Sequence, residues 1–253
     1  MKGMTRAEKR RLSDAALSVL AILLGLLISF PVFYCFLSAF KTPAEFMEGR
    51  LFPRDWTNLS NFKNALTASP LLRYSMSSLA VAALGAAGRL VVGIPAAYAL
   101  TFYDFKGKRL VFLLILGTMM LPAEILLLPN YITVSRLGLL GTFTGMCIVS
   151  FVGANQIFML RQKFLTVSKE LRQATELDGC GDLRYMLTFL LPICRGVIAA
   201  LFVQSFTALW NAYLWPLVIT AAKPEMRTIM VAITRMNSWE DTNYEMVLAG
   251  VAL

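Results

Sequence analysis

The sequence of 253 residues contains no histidine and few charged residues. Histidine is the commonest general base and a frequent metal ligand, so its absence removes the simplest catalytic and metal-binding arrangements. Charged residues make up only 15% of the chain and hydrophobic residues 57%, whereas soluble domains carry about 25% charged residues. The four cysteines are scattered and form no CxxC pair, which argues against a disulfide framework or a zinc site. The composition indicates an integral membrane protein.

Two further absences limit the possible functions. The chain has no phosphate-binding loop of the GxxxxGK[ST] kind, so it does not bind ATP by that route, and we expect it to bind no cofactor or metal itself. The excess of 24 Lys and Arg over 15 Asp and Glu could indicate nucleic-acid binding. In so apolar a chain it favours membrane topology and contact with anionic lipid headgroups. We therefore expect lipid and not nucleic acid as a partner.

The apolar segments predict an all-α membrane protein with six transmembrane helices. A helix needs about 20 apolar residues to cross the hydrocarbon of a bilayer. Five segments reach that length, and a sixth begins near Tyr244 and is truncated in this sequence at Leu253. Small residues in the second segment indicate close packing between helices. The five longer segments are Leu17–Phe40, Ser75–Phe102, Leu110–Asn130, Thr142–Leu160 and Ile193–Ile219.

The positions of lysine and arginine predict how the chain is oriented. These residues are concentrated at the N-terminus and in alternate loops, which places those parts on the cytoplasmic side of a cell inner membrane. The predicted organisation is a cytoplasmic N-terminus (1–14), a first transmembrane helix (15–40), an external loop (41–73) and a core domain (74–253). The core contains a cytoplasmic loop at 161–185.

The cytoplasmic loop includes a stretch, Lys169–Leu177, with the spacing of a short amphipathic helix. Leu171, Ala174 and Leu177 recur at every third residue, and charged residues lie around them. A short helix that lies across the cytoplasmic ends of two spans can dock on a partner and transmit the partner's motion.

The residues after this stretch predict a turn followed by a second helix. Gly179 and Gly181 end the short helix, since glycine allows the backbone conformations of a tight turn. Asp182 is the expected N-cap of the next helix, which continues into the fifth span. Pro192 is expected to kink that helix where it enters the bilayer.

This loop resembles the EAA motif of ABC importer permeases, in which an EAA triplet is followed by a DGA-like turn and then by a Leu-Pro pair. Here the triplet is Gln173-Ala174-Thr175, the turn is Leu177-Asp178-Gly179-Cys180, and the pair is Leu191-Pro192. The segment Trp210–Leu217 is similar to the WN-x-[FY]-x-WPL segment of carbohydrate importer permeases of the maltose and glycerol-3-phosphate type. Gln173 replaces the usual glutamate, which puts in doubt any salt bridge that this glutamate would make.

The resemblance implies a type I ABC importer permease fold and a non-catalytic role. It implies a second, homologous permease subunit, an extracytoplasmic solute-binding protein, and two copies of a cytoplasmic ATPase that holds ATP and magnesium. The solute would be a carbohydrate or a related compound, with glycerol-3-phosphate as a candidate. The ATPase would dock on the loop, through Glu170, Leu171, Gln173, Ala174, Thr175, Leu177, Asp178 and Gly179.

Polar residues within the apolar segments are candidates for the translocation path. Ionisable groups inside a membrane are costly and usually face protein or water. Arg89 could pair with Glu124, bind backbone carbonyls, or contact an anionic solute. Amides and aromatic rings on the fifth span could hold a sugar, although Asn211 fits a helix–helix hydrogen bond equally well. The candidates are Arg89, Glu124, Gln204, Trp210, Asn211 and Tyr213.

Other classes of membrane protein receive less support. An ABC permease for a non-sugar solute stays open as an alternative. An ion-coupled secondary transporter would normally show internal repeats and carboxylate relays, and neither is visible in the sequence. An intramembrane enzyme would need acid–base or nucleophilic groups at membrane depth, which the sequence does not offer.

Overall fold

The computed structural model describes residues 6–68, 70–236 and 244–252, and the regular elements in these ranges are all helices. In chain order they are α1 (Arg6–Ser38), α2 (Pro43–Met47), α3 (Ser60–Ala68), α4 (Leu71–Phe102), α5 (Lys108–Thr118), α6 (Leu127–Arg136), α7 (Phe143–Ile148), α8 (Ala154–Phe164), α9 (Lys169–Leu177), α10 (Asp182–Tyr185), a π-helical turn (Met186–Leu190), α11 (Leu191–Trp210), α12 (Leu214–Ile219), a 3₁₀ turn (Pro224–Met226), α13 (Ile229–Met236) and α14 (Tyr244–Ala252).

Three helical stretches of the described chain are long and apolar enough to cross a membrane. They correspond to the first, second and fifth predicted spans. The first and third of them carry few buried residues, so most of their surface is open to lipid or to partner subunits. The stretches are Asp14–Ser38, Leu71–Phe102 and Asp182–Trp210.

One compact unit consists of Met1–Leu71 and Ile233–Leu253. In it, α14 packs against both α1 and α3, and its start at Tyr244 matches the predicted start of the sixth segment. Asn61 joins α3 to the end of α1, because its Nδ2 donates to the carbonyl oxygens of Ala39 at 3.0 Å and of Lys41 at 2.7 Å. The beginning of the predicted external loop is therefore folded onto the end of the first helix.

A capping box fixes the first turn of that loop. Thr42 is the N-cap of α2, and its backbone N–H donates to Oε2 of Glu45 at 2.8 Å. The other carboxylate oxygen of Glu45 accepts from the backbone N–H of Arg54 at 2.9 Å. The hydrogen bond from Thr42 lowers the pKa of the Glu45 carboxyl group, because it favours the charged form.

The second unit, Leu72–Ala232, contains the elements that carry the candidate site. The third predicted span, Leu110–Asn130, is interrupted in it between α5 and α6. Pro122 lies in the interruption; it has no backbone N–H and restricts the residue before it, so a continuous helix is unfavourable there. Pro122 predicts a kink in this span, whereas the structure shows a break from Met119 to Leu126 that apolar length alone does not indicate.

The fourth and fifth predicted spans are also divided into shorter helices. Thr142–Leu160 corresponds to α7 and α8, with an extended residue, Gly153, at φ −132° and ψ 109° before α8. Ile193–Ile219 is continuous only as far as Trp210, and α12 then begins at Leu214. Apolar composition continues through both breaks, which is why the sequence predicted uninterrupted helices.

Pro192 is accommodated by a π-helical turn. The backbone N–H of Leu191 donates to the carbonyl oxygen of Met186, so the helix widens immediately before the proline. Proline lacks an N–H and its ring crowds the preceding turn, and a π-helical turn relieves both problems. The expected distortion at the start of the fifth span is therefore present, and the helix continues through it from Asp182 to Trp210.

The core of this unit joins the loop that contains α9 to the long helices. Tyr98 of α4, Phe164 of α8, Tyr185 of α10 and Cys194 of α11 belong to one buried apolar cluster, and Leu171 of α9 packs against it. The small residues of α4 allow close approach, as predicted: a Cβ atom on Gly88 would overlap the ring of Phe151. The short helix α9 is therefore attached to a packed core.

Candidate coupling helix and polar cavity

Helix α9 spans Lys169–Leu177, the bounds that the sequence predicted. Ser168 is its N-cap, and its Oγ accepts from the backbone N–H of Leu171 at 3.2 Å. The Ser168 hydroxyl also donates to Oε2 of Glu170 at 2.6 Å, and this hydrogen bond lowers the pKa of the Glu170 carboxyl group. The start of the helix is thus fixed by local hydrogen bonds.

The predicted apolar face of α9 is divided between two sides. Leu171 packs inward, and Thr175 is buried with its hydroxyl donating to the carbonyl oxygen of Arg172 at 2.8 Å. Leu177 is 90% exposed, and Ala174 is exposed as well. The expectation of one common face was wrong because the buried side of this short helix is made by Leu171 and Thr175. The apolar side chain of Leu177 is therefore exposed.

Gly179 ends α9 in a left-handed conformation. Its φ is +73°, where a Cβ atom is unfavourable, and the backbone N–H of Cys180 donates back to the carbonyl oxygen of Thr175 at 2.9 Å. Gly181 has φ −70° and ψ 160°, which any residue can adopt. Of the two predicted turn glycines, only Gly179 is required by the backbone. Asp178 is the C-cap and is exposed.

Asp182 is not the N-cap of α10, since Gly181 takes that position and makes no side-chain cap. The carboxylate of Asp182 instead accepts three hydrogen bonds, from Tyr98 Oη at 2.8 Å, Tyr103 Oη at 2.7 Å and Arg172 Nη2 at 2.9 Å. Arg172 also donates to Glu176 at 2.6 Å. We call Tyr98, Tyr103, Arg172, Glu176 and Asp182 the arginine clamp.

The arginine clamp ties α9 to the C-terminal end of α4 and to the start of the Asp182–Trp210 helix. The guanidinium carbon of Arg172 also lies 4.8 Å from the ring centroid of Phe102, which adds a cation–π contact. The hydrogen bond to the Asp182 carboxylate raises the pKa of Tyr103. The clamp was not predicted from the sequence. The i, i+4 spacing of Arg172 and Glu176 was a readable signal, whereas the tyrosine contacts depend on the tertiary fold.

An open cavity of about 530 Å³ lies between α4, the end of α5, α8 and α11, and most of its lining surface is apolar. We call it the polar cavity after the polar side chains that reach it. Arg89 of α4 reaches it, and its Nε donates to the carbonyl oxygen of Ser150 at 2.7 Å. Ser150 lies in the break between α7 and α8, where backbone carbonyls are freed from helical bonding. The interruption of the fourth span therefore supplies the acceptor that holds Arg89.

Side-chain amides form another wall of this cavity. Asn155 Nδ2 donates to Gln204 Oε1 at 3.3 Å, and Gln156 Nε2 donates to the buried Ser205 Oγ at 2.9 Å. Both bonds join α8 to α11. A Cβ atom on Gly153 would overlap Oε1 of Gln156, so this position has no room for a larger residue while Gln156 stays in place.

The structure brings together two of the six candidates for the translocation path. Arg89 and Gln204 both line the polar cavity, together with Asn155 and Gln156, which the sequence analysis did not single out. Within the described residues Arg89 forms no ion pair with Glu124, which lies exposed in the turn after Pro122. The remaining candidates lie at the far end of α11, outside the lining of this cavity: Trp210, Asn211 and Tyr213.

The described residues contain no group of three or more histidine, cysteine, aspartate or glutamate side chains that could hold a metal ion. The polar cavity offers hydrogen bonding and one positive charge. Helix α9 offers an exposed side for contact with another protein.

The fold is that of an ABC importer permease. One chain of a solved structure matches this chain with a TM-score of 0.83 and 20% sequence identity, over 100% of this chain and 93% of that chain. That structure is described as "Crystal structure of a bacterial ABC transporter involved in the import of the acidic polysaccharide alginate". This likeness confirms the predicted fold class, an all-α membrane protein with the type I ABC importer permease fold.

Relatives matched by sequence have a higher sequence identity to this chain than the structural match has. The sn-glycerol-3-phosphate transport system permease protein UgpE of Brucella abortus (strain 2308) is 32% identical over 259 residues, covering 97% of this chain and 91% of that protein. The protein of the same name from Yersinia pestis bv. Antiqua (strain Antiqua) is 32% identical over 258 residues, covering 97% and 90%. Residues 89–253 match the family described as "Binding-protein-dependent transport system inner membrane component". The chain therefore belongs to this family of inner membrane components of ABC importers.

Proposed function

We propose that this chain is the permease subunit through which an ATP-driven importer couples ATP hydrolysis to uptake of a carbohydrate or of a related solute such as sn-glycerol-3-phosphate. The observation that carries the coupling role is the geometry of α9. Its inner side is fixed by Thr175 and the arginine clamp, while Leu177 is 90% exposed.

The exposed side of α9 has the character of a docking surface. Gln173, Ala174 and Leu177 lie outward, and an exposed leucine beside small and polar residues is suited to insertion into a partner's pocket. Burying one leucine side chain contributes about 1.5–3 kcal/mol to an interface. The partner in this proposal is a cytoplasmic ATPase, which supplies the ATP and magnesium chemistry that this chain lacks.

The arginine clamp gives α9 a mechanical connection to the membrane helices. Asp182, which binds Arg172, is the first residue of the helix that continues to Trp210, and Tyr98 lies near the end of α4. Movement of a docked ATPase would therefore move α9, α4 and α11 together. In this mechanism the ATPases close on ATP, the long helices re-orient, and the cavity opens to the other side of the membrane.

The assembly in this proposal contains a second, homologous permease, two copies of the ATPase and an extracytoplasmic binding protein that delivers the solute. The N-terminus and the α9 loop lie on the cytoplasmic side, because lysine and arginine are concentrated there. The solute class is supported by the relatives, which are named as sn-glycerol-3-phosphate permeases, and by the positive charge in the polar cavity.

The coupling role is tested by Leu177→Ala in the importer reconstituted with its ATPase, second permease and binding protein. We expect ATPase binding to weaken about 10-fold or more, since the exposed leucine no longer fills a pocket. The thermal stability of the permease itself should not change, because Leu177 makes little contact within the chain. Solute-stimulated ATP hydrolysis and solute uptake should fall together.

Leu137→Ala is the matched control. Leu137 is 60% exposed and lies at the end of α6, in a loop that the charge pattern places on the opposite side of the membrane. ATPase affinity that is equal in wild type, L177A and L137A would contradict the proposal. Uptake that continues without ATP and follows an ion gradient would instead identify a secondary transporter.

A further inference from the structure

Within the described ranges, the polar cavity is lined by one charged side chain. Among the described residues that line it only Arg89 is ionic, and none is an aspartate or a glutamate. A charged group at membrane depth is expensive unless it is paired or serves a function. One hydrogen bond from Arg89 Nε to a neutral carbonyl oxygen leaves the positive charge without a counter-charge among the described residues.

The guanidinium group of Arg89 has donors to spare. Arginine carries five N–H donors in a rigid planar fork, and within the described chain only Nε of Arg89 has an acceptor. The Ser150 bond fixes one side of the group and leaves both terminal nitrogens unbound. This arrangement suits bidentate binding of a planar carboxylate or of a phosphate, whose oxygens match the spacing of the fork.

The amides beside Arg89 can hold neutral hydroxyl groups. Gln204 receives a hydrogen bond from Asn155 on its oxygen, so its own Nε2 donors are available, and the oxygen of Asn155 is available as an acceptor. Gln156 is fixed by the buried Ser205. The wall therefore offers both a donor and an acceptor at defined positions next to the cationic group.

We infer that Arg89 binds the anionic group, phosphate or carboxylate, of the transported solute, and that Gln204 and Asn155 bind the solute's hydroxyls. The inference rests on the proposed importer function and deepens it by naming the subsite. The cavity volume of about 530 Å³ lies within the range of ordinary small-molecule sites, about 300–1,000 Å³. A polyol phosphate or a single acidic sugar combines the required groups.

The test measures uptake of radiolabelled sn-glycerol 3-phosphate by the importer reconstituted with its ATPase, second permease and binding protein. Arg89→Gln should reduce uptake about 10- to 100-fold, the effect of losing a hydrogen-bonded charge contact. Arg89→Lys should restore part of it, since the charge returns without the planar fork. ATP hydrolysis stimulated by the loaded binding protein should persist in both variants, because α9 is unchanged.

Gln204→Glu tests the same site without touching the bond between Arg89 and Ser150. The glutamate can still accept from Asn155, yet it places a negative charge in the cavity, so uptake of the anionic solute should fall by a similar factor. Arg136→Gln removes an exposed arginine at the end of α6 and should leave uptake unchanged. Uptake at the wild-type rate in either R89Q or Q204E would overturn the subsite.

Two further outcomes are distinct from that failure. A wild-type importer that neither hydrolyses ATP in response to a loaded binding protein nor takes up solute would overturn the proposed function itself.

The same uptake assay in vesicles of phosphatidylcholine alone and with added phosphatidylglycerol shows whether Arg89 binds the solute or a lipid. An effect of R89Q that appears only with the anionic lipid would mean that Arg89 binds a lipid phosphate, which contradicts the inference.

Discussion

Two arginines in the same structural unit have opposite environments. Arg172 in α9 binds two carboxylates, a tyrosine hydroxyl and the face of Phe102. Arg89 in the polar cavity binds one backbone carbonyl oxygen and no carboxylate among the described residues. Both side chains are partly shielded from solvent, so burial alone does not explain the difference.

The difference separates a structural charge from a functional one. The donors of Arg172 are taken up by its own chain, so the residue can position α9 but has little left for a ligand. Within the described chain most donors of Arg89 have no acceptor, which suits a ligand that supplies the missing negative charge. Substitutions at the two arginines should therefore have different effects on stability and on transport.

Arg172→Ala should have the largest effect on stability. The change leaves Asp182 and Glu176 without their cationic partner and removes the contact with Phe102, and Arg172 has only 18% of its side chain exposed. The expected loss is about 1–3 kcal/mol in the free energy of unfolding, because solvent screens the two carboxylates, which are 44% and 54% exposed. Thermal unfolding in detergent measures it. Arg184 is an exposed arginine in the same loop, and Arg184→Ala should change the free energy of unfolding little. Equal losses of stability in R172A and R184A would show that Arg172 has no special structural role.

Gly179→Val tests whether the turn between Arg172 and Asp182 of the arginine clamp requires the left-handed backbone conformation of Gly179. No atom lies within 4 Å of the position of its Cβ, so the cost arises from φ +73° alone and should be about 1–2 kcal/mol. Gly181→Val is a matched control, because this glycine is also free of contacts and has an ordinary φ of −70°. We expect ATPase coupling to fall only in G179V. A similar loss of ATPase coupling in G179V and G181V would show that the positive φ of Gly179 is not the cause.

The loop that contains α9 could be predicted closely from the sequence because its signals are local. The bounds of α9 follow from apolar spacing within a few residues, and the left-handed turn at Gly179 follows from the glycine itself. The face that α9 buries could not be predicted in this way. Thr175 is buried and Leu177 is exposed, a difference that the apolar spacing along the chain does not contain.

The polar cavity could be predicted only in part. Arg89 and Gln204 were recognisable as polar residues in apolar segments, but their proximity depends on helices far apart in the chain. The break before Gly153 brings the Ser150 carbonyl to Arg89, and hydropathy averaged over a span does not detect a break of a few residues. Non-local hydrogen bonds therefore define the cavity, and a single sequence does not contain them in readable form.

Arg89→Gln should cost less stability than Arg172→Ala, about 0.5–1.5 kcal/mol, because one hydrogen bond is lost and no carboxylate loses its partner. The same thermal unfolding series in detergent measures this. A stability loss as large as that of R172A would show that Arg89 is a structural residue. The comparison between the two arginines would then no longer hold.

The smallest effect expected is a pH dependence confined to the arginine clamp. The Tyr103 hydroxyl donates to Asp182, and this bond raises its pKa above the ordinary value of about 10. A group with a raised folded-state pKa stabilises the protein fully below its unfolded pKa and loses that contribution as pH rises through the folded value. The difference in unfolding midpoint between wild type and Tyr103→Phe should therefore be constant at neutral pH and shrink only above about pH 10. The corresponding difference for Arg89→Gln should stay constant over the same range, since the carbonyl oxygen that Arg89 binds does not titrate. A pH-independent Y103F difference would mean that Asp182 is held by Arg172 and Tyr98 alone.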